Sequence, residues 1–444
     1  MKFLEVPLLF LSLSSLVACS PLSRIKFGQH AKRDNSTSST SMLQLSSDPD
    51  FHFEILRSMA MAPYGGSDIG ELLITANQIA AGDFESYYTA FNNLATRVHT
   101  KAQAIDSGRF PASARGALFR ESTYYRSADF FLHGNWTDPR INSLWAQQRA
   151  AFDTAIALLP TPGERITLQS NSNFTIPGVF FPSGQPGPRP TLLLCNGFDG
   201  SQEELYHIIG AAALQRGINV LTFEGPGQPT VRREQGLGFI PEWERVVSPV
   251  VDYALSRPEV DGARVGLLGL SFGGFLAPRA AAFEHRLAAV IAFDGLYDFA
   301  EGMFAQFGDQ LTALYRAGNA TAFNAAIDGY LASGQASTSA RWGIEQGMWA
   351  FAAATPWDWV SKLQAYSLAG DGLVGNITTP VFVADADADM FFPGQAKKLA
   401  AALGDRATYH MFESVDGAGE HCSLGASVFS DQVILDWFEE VVGC

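Results

Sequence analysis

The chain has 444 residues, of which 47% are hydrophobic and 17% charged, a composition that excludes a mainly disordered, coiled-coil or collagen-like molecule. The formal net charge is −15, and because residues 1–33 hold five basic side chains and one acid, the remainder carries −19. Such an acidic surface argues against nucleic acid as a partner, since a polyanion is bound through lysine and arginine. Four cysteines, Cys19, Cys195, Cys422 and Cys444, are too few for a disulfide framework and allow at most one bridge once a leader is removed.

In chain order, residues 1–19 read as a secretory signal: one lysine, an apolar stretch from Val6 to Ala18, then small residues. The stretch is too short for a stable membrane anchor. Lys32-Arg33 resembles a dibasic processing site, so residues 20–50 are expected to be a pro-segment and a polar, disordered arm. Five Asn-x-Ser/Thr sequons, at Asn35, Asn135, Asn173, Asn319 and Asn376, agree with passage through a secretory pathway.

Residues 51–160 are expected to form an N-terminal helical lid. From Asp68 to Leu159, four segments carry apolar residues at three- and four-residue spacing, and no strand-like run interrupts them. The lid aromatics Tyr124, Tyr125, Phe130 and Phe131 suit packing more than substrate contact.

After PTPGE the pattern changes to short β-rich runs: RITLQ, FTIPGVFF, TLLLCNG, INVLTFEG, RVGLLGLS, AAVIAFDG, PVFVADAD and TYHMFES. Several are apolar nearly throughout, as strands of a parallel sheet covered on both faces are. EELYHIIGAAALQRG, EWERVVSPVVDYALSR and GGFLAPRAAAFE supply helices between the later ones. Residues 161–444 are therefore expected to be an α/β core with a mostly parallel sheet. A helical cap insertion is expected at about residues 299–376, where the next strand is delayed.

Gly269-Leu270-Ser271-Phe272-Gly273 fits G-x-S-x-G between a predicted strand and a predicted helix, the setting in which a serine hydroxyl is presented above the sheet. That makes Ser271 the candidate nucleophile. An oxyanion hole requires backbone N–H groups aimed at the developing charge. Phe272 supplies one and the loop Asn196-Gly197-Phe198-Asp199 the other, with Phe198 preferred over Asp199.

The fold class orders the remaining groups as an acid and then a histidine. Asp385, Asp387 and Asp389 alternate after the strand PVFVADAD; Asp389 lies furthest past it and is preferred over Asp387. His421, in the Gly-rich loop DGAGEHCSLGAS, is the candidate base, whereas His410 lies within a strand and reads as a packing or surface residue. The three aspartates fail as a calcium loop starting at Asp385, because Met390 stands where glycine is needed and Ala396 where glutamate is needed. A magnesium-dependent phosphatase with an aspartate nucleophile would leave the serine elbow unused. Cys422 lacks an elbow and reads as structural. No metal or cofactor is called for.

With RESTYYRSADFF, NGFDGSQEE, FEGPGQ, GLSFGG, GMWAFAAATPWDW, DADMFFPGQ and GEHCSLGA in hand, the chain resembles the fungal α/β-hydrolases that include the heptaketide hydrolyase of pigment pathways and the fusarin-cluster hydrolase. More distantly it resembles 2,6-dihydroxypseudooxynicotine hydrolase and the FrsA-like esterases. The resemblance implies a cofactor-free hydrolase using Ser271, Asp389 and His421 on a carbon–carbon (β-diketone-like), ester or lactone bond of a polyketide-type small molecule. The alternatives are a general secreted carboxylesterase or acyl-peptide hydrolase, and a non-catalytic ligand-binding protein. Nothing in the sequence specifies an oligomer.

Overall fold

A computed structural model describes residues 42–370 and 372–443. The signal, Lys32-Arg33, Asn35, Cys19 and Cys444 lie outside the described residues. The arm expected to reach residue 50 gives way to structure sooner. The Asp48 carboxylate accepts hydrogen bonds from the N–H groups of Asp50 and Phe51 (3.0 and 3.2 Å), and Pro49 occupies the first helical position, so a helix starts there. This helix, α1 (Pro49–Ala60), has two apolar faces. Phe51 packs on Tyr87 and Phe131, ring centroids 5.0 Å away in each case, while Phe53 turns the other way, onto Phe391 at 5.3 Å.

The lid continues through α2 (Ile69–Ala76), α3 (Phe84–Gln103), α4 (Pro111–Asp129) and α5 (Pro139–Ala157). Tyr124, Tyr125, Phe130 and Phe131 are all buried, as core residues of this layer.

Eight strands follow at the eight runs named above: β1 (Glu164–Gln169), β2 (Thr175–Phe181), β3 (Arg189–Cys195), β4 (Asn219–Phe223), β5 (Val260–Leu270), β6 (Ala289–Phe293), β7 (Val381–Ala386) and β8 (Ala407–Phe412). They form one sheet in the order β1-β2-β4-β3-β5-β6-β7-β8. The pairings β1–β2 and β2–β4 are antiparallel and the rest parallel. Every residue of β4, β6 and β7 is buried, because helices cover both faces of the sheet.

The segment read as one helix at EELYHIIGAAALQRG is instead α6 (Gln202–Leu205), a wide π turn over Tyr206–Gly210, and α7 (Ala211–Gln215). The π turn carries Tyr206 and His207 against the lid residue Phe119, at 5.1 and 4.7 Å. The covering helices are completed by α8 (Pro229–Gln235), α9 (Glu244–Ser256) and α10 (Gly273–Ala281). The cap follows as α11 (Phe299–Arg316), α12 (Ala320–Ala332), α13 (Thr338–Ala350), α14 (Pro356–Leu363) and α15 (Leu373–Asn376), then α16 (Gln395–Leu403) and α17 (Ser427–Val442).

The loops leaving the carboxyl ends of β3, β5, β6, β7 and β8 converge under the lid and cap, where an open α/β sheet places its ligands. Among the described residues no helix is long and apolar enough to cross a membrane, and Cys195 and Cys422 are both free thiols.

Candidate active site

Strand β5 runs directly into the serine turn. Ser271 has φ 59°, the left-handed region that costs a non-glycine residue about 1 kcal/mol or more. Its N–H donates to the Phe293 carbonyl at 2.9 Å, which holds the turn against β6. A Cβ on Gly269 would overlap the Gly273 carbonyl, so only glycine lets the chain reverse this sharply into α10. Asp294, Cys422 and Ser423 also have positive φ, at 57°, 54° and 50°. Four of the six non-glycine positions of this kind among the described residues thus gather at one place, which marks a site whose geometry is held by its surroundings.

His421 Nε2 lies 2.8 Å from Ser271 Oγ. The imidazole is buried, with Phe391 edge-on at 5.0 Å and Phe53 of α1 at 6.4 Å. Its Nδ1 meets two carboxylates at equal range: Asp389 Oδ1 at 3.0 Å and Asp294 Oδ2 at 3.0 Å. Asp389, the acid candidate of the sequence, thus lies beside His421, and the turn DMFF explains its aim. Asp389 Oδ1 also accepts the N–H groups of Phe391 and Phe392, at 2.7 and 3.3 Å.

Asp294 is the group that sequence reasoning missed. It follows β6 as Asp389 follows β7, in AAVIAFDG, and a search for a single acid passes over it. Its Oδ2 accepts the Cys422 N–H, while its Oδ1 is buried with no protein partner. The other alternating aspartates have separate duties: Asp385 accepts from the Tyr409 hydroxyl at 2.7 Å, and Asp387 accepts from the Ser414 N–H at 3.0 Å.

These surroundings drive the protonation states apart. Burial raises the carboxyl of Asp294, against the opposing pull of His421 and with the Asp389 charge adding to the rise. Burial also acts on Asp389, but His421 and the two backbone N–H groups outweigh it and hold the carboxyl below its usual range. For His421, burial disfavours the cation, and Asp389 with its neighbours more than reverses that, so the imidazole lies well above its ordinary value. The Cys422 thiol is pushed up to about 11, chiefly by burial, and stays protonated at neutral pH. Asp294, His421 and Cys422 bring ligand atoms within 4.8 Å of one another, but a metal would need the thiolate and the carboxylate and imidazole already engage each other.

The loop Asn196-Gly197-Phe198-Asp199 rests on the serine turn. A Cβ on Gly197 would stand 2.7 Å from the Leu270 carbonyl oxygen and 2.9 Å from the Phe272 nitrogen, so glycine permits the close approach. No hydrogen bond among the described residues uses the N–H of Phe198 or of Phe272. His410 is a packing residue of β8, with its ring 6.0 Å from Phe382 and 4.5 Å from Phe412.

Above Ser271 and His421 lies a cavity of about 100 Å³ that opens to solvent. Its wall is largely aromatic: Phe53 from the lid, Phe299, Trp342 and Trp359 from the cap, and Phe391 and Phe392 from the Asp389 turn. Arg57, Gln306 and Ser339 add the polar points. None of Tyr124, Tyr125, Phe130 and Phe131 reaches the cavity wall.

The alpha/beta hydrolase family profile matches residues 192–428. Among curated proteins, the chain is 32% identical to the hydrolase LUC6 of Fusarium sp, over 88% of this chain and 96% of that protein. It is 30% identical to the 20-hydroxy-prefusarin hydrolase FUS2 of Gibberella moniliformis, over 88% and 96%, and 31% identical to the hydrolyase poxO of Penicillium oxalicum, over 85% and 93%. Among solved structures, 2,6-dihydroxy-pseudo-oxynicotine hydrolase superposes with a TM-score of 0.67 at 19% identity, covering 86% of this chain and 95% of that one; this likeness is one of fold.

Proposed function

Because the chain belongs to the alpha/beta hydrolase family and is related to fungal secondary-metabolite hydrolases, we propose that it is a serine hydrolase cleaving a carbon–carbon (β-diketone-like), ester or lactone bond in a polyketide-type small molecule. The observation that carries this reading is the 2.8 Å approach of His421 Nε2 to Ser271 Oγ, with carboxylates 3.0 Å from Nδ1, on the floor of an aromatic cavity.

In this mechanism Ser271 Oγ attacks the substrate carbonyl as His421 Nε2 takes its proton, and the N–H groups of Phe198 and Phe272 receive the oxyanion. Asp389 holds the Nδ1–H tautomer and stabilises the imidazolium. Collapse of the tetrahedral intermediate breaks the C–C or C–O bond. The leaving enolate or alkoxide then takes the His421 proton, and water activated by the same histidine releases the acyl group. Asp294 adds a second carboxylate to the imidazolium, so the cation is stabilised although the ring is buried. Aromatic walls suit a flat, conjugated substrate.

A fluorophosphonate probe should label Ser271 in the folded protein, and Ser271→Ala should abolish both labelling and turnover; full activity in that variant would end the serine reading. Product masses from polyketides bearing a β-diketone, set beside p-nitrophenyl esters, decide the bond. Fast turnover of the simple esters alone would move the reading to a general carboxylesterase.

We also infer a secretory route for the chain. It is supported by the exposure of the sequon asparagines Asn135, Asn173, Asn319 and Asn376. A mass loss on glycosidase treatment of the protein from its native host is expected, and an unchanged mass would count against the route.

A further inference from the structure

The four carbonyls of the loop that carries the candidate oxyanion donor are gripped by three side chains from outside it. The Asn196 oxygen accepts from Gln228 Nε2 at 2.6 Å, and the Gly197 oxygen accepts from the same amide at 3.5 Å. The Phe198 oxygen accepts from Gln346 Nε2 at 3.3 Å, and the Asp199 oxygen from Arg126 Nη2 at 2.6 Å. The three donors come from three layers: Gln228 at the start of α8 on the sheet, Gln346 from cap helix α13, and Arg126 from lid helix α4. All three are buried.

A trans peptide is planar, so its C=O and the following N–H point in opposite directions. Fixing the Gly197 oxygen sets the direction of the Phe198 N–H, and fixing the Phe198 oxygen sets that of the Asp199 N–H. Neither N–H donates to another described residue.

The grips are themselves held. His133 Nδ1 lies 2.6 Å from Gln346 Oε1, and the ring is stacked on Trp349 at 4.2 Å. Arg233 Nη2 lies 3.0 Å from His133 Nε2. Nε2 faces both the Arg233 guanidinium and the Asp129 carboxylate, the latter at 3.5 Å; a ring that carries a proton on Nδ1 donates to Gln346 Oε1, which leaves the amide nitrogen to face Phe198. Burial lowers the His133 pKa. On the other side, Arg57 Nη1 reaches Asp199 Oδ1 at 2.9 Å, Glu204 Oε2 accepts the Ser201 N–H at 2.7 Å, and both arginines lie against the Phe130 ring, at 5.4 and 5.1 Å.

We propose that Gln346 of the cap, which holds the Phe198 oxygen and so sets the Asp199 N–H, and Arg126 of the lid, which holds the Asp199 oxygen and so anchors the far end of the loop through the Asp199–Gly200 peptide, are positioning residues for the Asn196–Asp199 loop, so that the lid and cap complete the catalytic geometry as well as enclosing the substrate. The inference rests on the serine-hydrolase reading. Its test is the kinetics of fluorophosphonate labelling of the full chain, because phosphonylation of Ser271 develops charge on an oxygen in the same hole. The first-order phosphonylation constant and the half-saturating probe concentration are measured separately.

In Gln346→Met and in Arg126→Met the phosphonylation constant should fall by about 10- to 100-fold while half-saturation stays within about twofold. Arg126→Lys, whose ammonium still donates to the Asp199 oxygen, should recover most of the loss. Gln346→Glu keeps shape and volume but removes the donor, and should be as slow as Gln346→Met; it takes over if the methionine variant does not fold. A wild-type phosphonylation constant in the folded variants overturns the proposal, as does a loss confined to half-saturation or an Arg126→Lys variant no better than Arg126→Met. Failure of the wild-type chain to label would instead remove the serine reading itself, which separates the two.

Discussion

Leu267 in β5 and the pair His421 and Asp389 beyond the strand ends are removed from water to nearly the same degree: Leu267 is 0% exposed, and the two polar side chains 6% and 5%. The body of the sheet meets that burial with Val265, Leu267, Leu268, Val290 and Ile291, whose transfer from water is favourable in any arrangement that packs. The rim meets it with serine, histidine, carboxylates and arginines, which are stabilising only when each finds its partner at hydrogen-bond range. One region should therefore govern whether the chain is folded, and the other how fast and at what pH it reacts.

The sharpest division is expected from Asp389→Asn, which leaves the volume of the rim intact but removes the charge that orients His421. Labelling of Ser271 should slow by about 10³- to 10⁴-fold with little change in the thermal midpoint. A large loss of stability with it would erase the distinction between the regions. Leu267→Ala is the converse: about 2–5 kcal/mol of unfolding free energy lost by denaturant titration, with the labelling rate of the folded protein within about threefold of wild type.

The seam between lid and cap should show itself in pH. Burial, reinforced by the Asp48 charge and opposed by the hydrogen bond to Ser339, pushes the Asp50 carboxyl up to about 7 from an ordinary 3.8. A raised pKa means that the folded state binds the proton more tightly than the unfolded state. The contribution of Asp50 is then fully present below pH 3.8 and is lost as the pH rises towards 7. Asp129 runs oppositely: Arg233 and His133 overcome its burial and lower it to about 2, so its contribution holds above 3.8 and is lost as the pH falls towards 2. The unfolding free energies of Asp50→Asn and wild type, from denaturant titration, should diverge between pH 4 and 7 by a few kcal/mol at most; parallel curves would show the seam to be electrostatically inert.

The smallest effect is expected from Asp294→Asn. Neutralising one of the two carboxylates facing His421 Nδ1 makes the imidazolium less favourable. The alkaline rise of labelling with pH should then move to lower pH by about one unit, with less than about tenfold change at its plateau. No movement would mean that Asp294 does not share the charge of the imidazole.

How much of this was legible follows from the range over which each signal acts. The eight strands could be read because a buried parallel strand declares itself in five or six consecutive apolar residues. The serine turn could be read because Gly269, Ser271 and Gly273 meet a steric demand within five positions. Asp389 and His421 were picked as candidates from their order along the chain and their places after β7 and β8, and they lie 3.0 Å apart. The lid was placed from residue 51, but its first helix, starting at Pro49, was not read, since one Asp-Pro cap looks like any polar turn until Phe51 and Phe53 are seen buried on opposite sides.

Asp294 and the side-chain contacts to the Asn196–Asp199 loop lay beyond reach for a different reason. Asp294 meets the His421 loop across 128 residues at Cys422, Gln346 reaches Phe198 across 148, and Arg126 reaches Asp199 across 73. The sequence by itself determined which segments bury apolar surface and where the backbone must turn, because those are local properties of spacing and side-chain shape. Which polar groups face one another over the serine was decided only by the stacking of lid and cap on the sheet, because a buried hydrogen bond depends on positions to within a few tenths of an ångström that no local pattern encodes.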